Sequence, residues 1–184
     1  WDARTKAPSL VTRVFDLVFA ILSNSLTNKE SNPNASKWWS WPLFNCRWVP
    51  FWSKNGKLIV CLGNVLLWYP VFFGILWNLI VTLIRRDVKS MRACLLSGYL
   101  LSLLPFMLIA RNLCLFHYAV PLIFGIYNLA LMIQNELSPV CRGFVFSLLM
   151  SLAVFGYLNW SHLVYGLTIQ DLEFLIWNKK WIGD

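Results

Sequence analysis

Four polar residues stand beside long apolar stretches, where a polar side chain needs a reason to be. Arg111, then His117 with Tyr118, open one apolar run, and Asn64 follows Gly63 near the start of another. Along a regular helix, Arg111 and His117 would lie about 9 Å apart on the axis. A guanidinium with neutral donors at that depth suits a phosphate held at the level of lipid headgroups. Plainer readings stand beside this one. Arg111 also fits an arginine that closes a turn while its head snorkels to water. His117 also fits a histidine bonded to a neighbouring carbonyl, and Asn64 and His162 fit structural roles. Asn159, Ser161, His162 and Tyr165 form a similar polar fringe at the end of the last apolar run.

The acids are elsewhere. Asp2, Asp16, Glu30, Asp87, Glu136, Asp171, Glu173 and Asp184 all fall outside the apolar runs. A proton-coupled carrier keeps a carboxylate at membrane depth, so this pattern argues against one. It also leaves no obvious general base there, and no catalytic residue is assigned to this chain. Cys46, Cys61, Cys94, Cys114 and Cys141 have no metal-ligand spacing, so no metal site is expected. Most read as small buried hydrophobes, while Cys46, alone in its segment, could pair with a cysteine beyond this sequence.

The elements that position these residues follow from composition. Of 184 residues, 58% are hydrophobic and 13% charged, against roughly 25% charged in a soluble domain. Too few charges remain to cover a globule, and the chain reads as an all-α membrane protein. The net charge of +8 is spread over a polar N-terminal stretch and one loop rather than one periodic face. A nucleic-acid partner is therefore not expected. The first residue is Trp1, which suggests a piece of something longer, and no signal peptide is visible.

Four spans are predicted at about 58–84, 93–110, 113–133 and 143–160, within a module covering 58–167, each near the roughly 20 residues a bilayer requires. Pro70 predicts a kink in the first. Only Arg111 and Asn112 separate the second from the third, which predicts a very tight turn. Arg85, Arg86, Lys89 and Arg92 against Asp87 make the strongest short basic loop and place it in the cytoplasm, with both ends of the sequence lumenal. Residues 168–184 form a tail on that side.

Residues 1–57 are expected to be lumenal or interfacial. Val11, Val14, Phe15, Val18, Phe19 and Leu22 recur at helical spacing, as in a helix lying on the membrane or on another domain. Residues 27–37 read as an exposed loop, and Asn34-Ala35-Ser36 is a glycosylation sequon. Residues 38–52 are rich in tryptophan, with Pro42 and Pro50, a composition suited to a lipid–water interface.

Read together, Ser40-Trp41-Pro42-Leu43, Leu62-Gly63-Asn64 with Trp68, Leu104-Pro105-Phe106, Arg111 to His117-Tyr118, and Tyr165-Gly166 followed by residues 172–181 resemble the C-terminal four-helix module of the protein O-mannosyltransferases. The resemblance covers about residues 10–181. Cys114 stands where that family usually has an aromatic, and Pro121 is one place later than the family's proline.

The resemblance implies part of a GT-C-type glycosyltransferase of the endoplasmic reticulum, multi-pass in its membrane. Such an enzyme moves mannose from dolichyl-phosphate mannose to Ser or Thr of secretory proteins. It further implies that the acidic catalytic residues and a β-trefoil repeat domain lie in modules upstream, and that a homologous chain is a heterodimer partner. This chain alone would be inactive and would need no cofactor beyond the lipid-linked donor. Arg111, His117, Tyr118 and Asn64 are the candidates for the donor phosphate and lipid. The alternative is a non-catalytic four-span accessory or scaffold subunit.

Overall fold

The computed structural model describes residues 9–27, 33–55, 57–109, 112–168 and 181. Helix α1 (Leu10–Thr27) comes first, and every side chain described on it is exposed. A 3₁₀ turn at Trp38–Ser40 leads to strand β1 (Val49–Lys54), which pairs antiparallel with β2 (Lys57–Cys61). Four antiparallel helices follow: α2 (Val65–Arg85), α3 (Met91–Leu103), α4 (Ala119–Glu136) and α5 (Pro139–Tyr165). Strand β3 (Leu167–Thr168) then adds to β2, giving a sheet ordered β1-β2-β3. The sheet, the start of α2 and the end of α5 share one end of the bundle. The basic loop 86–90 and the α4–α5 junction share the other.

The membrane helices carry their own start and stop signals. Asn64 caps α2, its Oδ1 accepting from the Leu66 amide at 3.1 Å. Ser90 caps α3 and Ser138 caps α5, the latter with Pro139 in the first turn, where no N–H is needed. Helix α2 continues through Pro70. Gly166 ends α5 in the left-handed region at φ 98°, which costs a glycine little. Helices α2 and α5, and α4 with its preceding turn (Leu115–Glu136), are each long and apolar enough to cross a membrane. Helix α3 is shorter, reaching Met107 only through a 3₁₀ turn at Leu104–Met107.

Several boundaries differ from the sequence expectation, and α5 covers Pro139–Tyr165 where the sequence predicts 143–160. Residues 58–61 are strand rather than helix, because Gly63 and the Asn64 cap interrupt the apolar run and start α2 at Val65. Helix α3 stops at Leu103 because Pro105 cannot continue it. The passage from α3 to α4 is accordingly no two-residue turn. Its described residues include 3₁₀ turns at Leu104–Met107 and Leu115–Tyr118.

Helices α2 and α4 cross closely. A Cβ on Gly74 would lie 2.6 Å from the Leu129 Cα, and one on Gly125 would lie 2.7 Å from the Val71 side chain. Small residues at a crossing let backbones approach, the usual packing device within a bilayer. One turn further along α2, Asn78 donates to the Asn128 carbonyl at 2.7 Å and to Asn128 Oδ1 at 3.1 Å. Asn128 donates in turn to the Phe124 carbonyl at 2.9 Å. Both asparagines are fully buried; three of their four amide groups are engaged, while Asn78 Oδ1 has no partner among the described residues.

Candidate functional site

The tryptophan-rich segment is a core as well as a surface. Trp41 and Trp48 are buried, whereas Trp39 and Trp52 are exposed. Trp41 Nε1 donates to Ser36 Oγ at 2.7 Å, and the Trp41 carbonyl accepts from Trp68 Nε1 of α2 at 2.8 Å. Phe44 packs on Trp68 with ring centroids 4.7 Å apart. Trp181 closes the other side: it stacks on Trp48 at 4.8 Å, and its Nε1 donates to the Phe44 carbonyl at 3.0 Å. An interfacial segment of this kind is thereby fixed rigidly to the sheet end of the bundle.

His117 and Tyr118 sit in the 3₁₀ turn Leu115–Tyr118 that leads into α4. His117 is half-buried, flanked by Phe116 at 4.3 Å, Phe106 at 5.6 Å and Trp41 at 6.3 Å, the Trp41 ring being nearly parallel. Its Nδ1 lies 3.0 Å from the Cys114 carbonyl and 3.2 Å from the Cys114 amide. The turn's own backbone thus engages Nδ1 in either tautomer, so Nε2 is the ring nitrogen open to other chemistry. Tyr118 is fully buried, its hydroxyl 3.0 Å from that of Tyr99 on α3. It packs on Trp68 and Trp41. Its place is to brace the cluster from within.

Asn64 has both ends of its amide engaged. Besides capping α2, it donates through Nδ2 to the Ala153 carbonyl of α5 at 2.9 Å. A Cβ on Gly156 would fall 2.3 Å from that amide, so the glycine gives it room. Asn64 therefore joins α2 to α5, and the structure does not bring it beside His117. Arg111 lies outside the described residues. Asn34 is half-buried next to Pro33, whose carbonyl accepts from Arg47 Nη1 at 2.6 Å.

Beside the His117 cluster is a cleft of about 550 Å³ between residues 35–39 on one side and 106–109 with 112–113 on the other. Trp38, Trp39, Phe106 and Ile109 supply apolar walls, and Lys37 and Asn112 supply polar groups. The Lys37 ammonium stands 5.5 Å from the centroid of the Trp39 ring, a cation–π arrangement. Phe106 is common to this cleft and to the contact with His117. Lys37 and Asn112 escaped the motif reading, although a lysine directly before two tryptophans was a usable sign. Among the described residues no cluster of His, Cys, Asp or Glu could hold a metal. An apolar wall beside a cation and an amide suits an amphiphile with an anionic head.

Residues 11–182 match the family described as the C-terminal four TMM region of protein-O-mannosyltransferase. Dolichyl-phosphate-mannose–protein mannosyltransferase 5 of Candida albicans is 26% identical to the chain over 192 residues, covering 87% of this chain and 26% of its own length. Dolichyl-phosphate-mannose–protein mannosyltransferase 1 of Saccharomyces cerevisiae is 27% identical over 159 residues, or 74% of this chain and 19% of that protein. Among solved structures, the S. cerevisiae protein O-mannosyltransferase Pmt1-Pmt2 complex bound to the sugar donor superposes with a TM-score of 0.73 at 20% identity. That match covers 96% of this chain and 27% of the other, and it is a likeness of fold. The chain spans about a quarter or less of each of these proteins.

Proposed function

The chain belongs to the protein O-mannosyltransferase family as its C-terminal four-span region, and from that premise we propose that its sheet end forms part of the wall that holds a dolichyl-phosphate-linked mannose. The observation that carries the proposal is the cleft between residues 35–39 and residues 106–109 with 112–113, with its aromatic walls, Lys37 and Asn112. The family match, and a structural relative described as bound to the sugar donor, support the same reading.

In this reading the chemistry is electrostatic. When mannose leaves the donor, negative charge stays on the dolichyl phosphate, and cations or N–H donors at that position stabilise the leaving group. Arg111, Lys37 and His117 through Nε2 are the groups we assign to that task. Tyr118 and Asn64 act behind them, one bracing the aromatic cluster and the other tying α2 to α5. The acid–base residues of the reaction belong to other modules of the parent enzyme, as does the acceptor protein's site. The module sits in the endoplasmic reticulum membrane with its sheet end lumenal, where Asn34 would be within reach of glycosylation. A homologous chain is its partner, as in the Pmt1-Pmt2 complex.

The test is mannosyl transfer in microsomes by the parent enzyme with and without residues 58–184. Loss of transfer, with the remainder still inserted and stable, is the expected result. Retained transfer would mean that these helices serve as scaffold alone.

A further inference from the structure

The opposite end of the bundle holds a second polar cleft, of about 400 Å³, lined by Thr82, Arg85, Asp87, Ser90, Arg92, Asn135 and Glu136 among others. The end of α2, the loop 86–90, the start of α3 and the end of α4 supply these groups. Arg92 is 8% exposed and forms an ion pair with Glu136 through Nη2. Its Nη1 is buried and has no hydrogen-bond partner among the described residues, and the same holds for Thr82 Oγ1.

A buried guanidinium with one edge unmet is costly, because each unpaired N–H forgoes the water it would have had. The guanidinium fork presents five N–H donors and can serve two anions at once. Here Glu136 takes one side. The other carries an unsatisfied donor beside a cleft large enough for a phosphate, and the N-terminus of α3 begins at the same place with its positive dipole end. Two of the other lining groups have duties of their own. Ser90 donates to the Asp87 carbonyl at 2.8 Å and accepts from the Ala93 amide at 3.3 Å, and Asp87 Oδ1 accepts from the Lys89 amide at 3.2 Å.

Charge decides which kind of ligand fits. Arg85, Arg86, Lys89 and Arg92 face two carboxylates, Asp87 and Glu136, and one of those is already neutralised by Arg92. The balance at this end is positive, so an anion is favoured over an amine. We propose that this cleft binds a phosphate group, as carried by the headgroup of an anionic phospholipid, with Arg92 Nη1 and Thr82 Oγ1 as its buried donors and Arg85 at its mouth. A site here lies at the far end of the helices from the aromatic cleft and is independent of the donor reading. It would couple the packing of α2, α3 and α4 to the lipid of that leaflet.

The parent enzyme, purified in detergent, can be examined by native mass spectrometry with phosphatidylinositol, phosphatidylcholine or inorganic phosphate added. Selective retention of phosphatidylinositol over phosphatidylcholine is expected. Arg92→Lys keeps the charge facing Glu136 but has no second nitrogen to reach the cleft, and should lower that retention about tenfold, the worth of one charge-assisted hydrogen bond. Thr82→Val and Arg85→Ala should each lower it too, and they carry the test if Arg92→Lys fails to assemble. Displacement of the lipid by millimolar inorganic phosphate would support the phosphate site and make its source the soluble anion. Equal retention of both lipids, or variants that all bind as the parent does, would overturn the proposal.

Discussion

Trp68 on α2 donates its indole N–H to the Trp41 carbonyl at 2.8 Å, and that bond joins the tryptophan-rich segment to the membrane bundle. Trp41 also packs on Phe106, His117 and Tyr118. The Ser36 amide donates to the Leu113 carbonyl at 2.7 Å as a second joint, directly across the aromatic cleft. Trp68→Phe removes the bond and shrinks the indole to a phenyl ring, and should cost about 1 kcal/mol for the bond plus the packing lost with the smaller ring. Trp41→Ala removes a buried indole, and should cost about 3–5 kcal/mol. Thermal unfolding of the detergent-purified parent enzyme would check both, and equal effects would contradict the assignment of Trp41 as the keystone.

The α2–α4 crossing gives a second expectation. Gly74→Ala would set a methyl group 2.6 Å from a backbone atom of Leu129, which has no room to yield. At Gly143 on α5, an added Cβ meets nothing within 4 Å. Gly74→Ala should therefore destabilise the bundle. Gly143→Ala should be neutral or stabilise it by up to about 1 kcal/mol, since alanine favours helix over glycine. The thermal shifts of the two variants should have opposite signs or clearly different sizes.

The buried amide pair is expected to behave as one unit. Asn78→Val leaves Asn128 Oδ1 and the Asn128 carbonyl without their donor. Measured interhelical bonds in membranes suggest a loss of about 0.6–2 kcal/mol. A double-mutant cycle with Asn128→Val should return a coupling energy clearly different from zero, and strict additivity would argue that the pair is incidental.

Cys46 offers a test by pH. Burial pushes its thiol from an ordinary 9.0 up to about 12, because the thiolate would be stranded among apolar groups. The folded protein thus holds the proton that the unfolded chain releases. Stability linked to this group is fully present below about pH 9 and falls as pH rises towards 12. Cys46 should resist maleimide at pH 8 in the folded enzyme and react after denaturation. Rapid labelling of the folded enzyme at Cys46 would show that the segment is open.

The sequence made the bundle legible for simple reasons. The uncharged runs marked α2, α4 and α5, and the Arg85-to-Arg92 cluster marked one junction; the end of α3 was missed, because the expected span 93–110 ran through Pro105, which ends the helix at Leu103. The sheet was hidden because Leu58, Ile59, Val60 and Cys61 are apolar and adjoin the apolar start of α2, so hydrophobicity alone merges strand and helix. Two signs would have separated them: Asn64 as a helix cap, and Asn55-Gly56 between two short apolar stretches, which suits a tight hairpin. Asn55 does adopt the left-handed region, at φ 53°. At the site, His117 and Tyr118 were legible as a pair, but not their division of labour. Burial, which sequence does not state, turns Tyr118 inward towards Tyr99 and leaves His117 at the cluster's edge. Asn64 read as a polar anomaly in an apolar run because its partner, the Ala153 carbonyl, is remote in sequence.

The most direct test of the donor-site reading is the kinetics of the parent enzyme carrying Arg111→Ala, with dolichyl-phosphate mannose varied against a fixed acceptor peptide. An Arg–phosphate contact worth about 1.5–3 kcal/mol corresponds to a loss of about tenfold or more in kcat/KM for the donor. The KM for the acceptor and the thermal stability should stay close to those of the parent. Unchanged donor kinetics in a folded, membrane-inserted variant would contradict the account and return Arg111 to the role of an arginine that merely closes a turn.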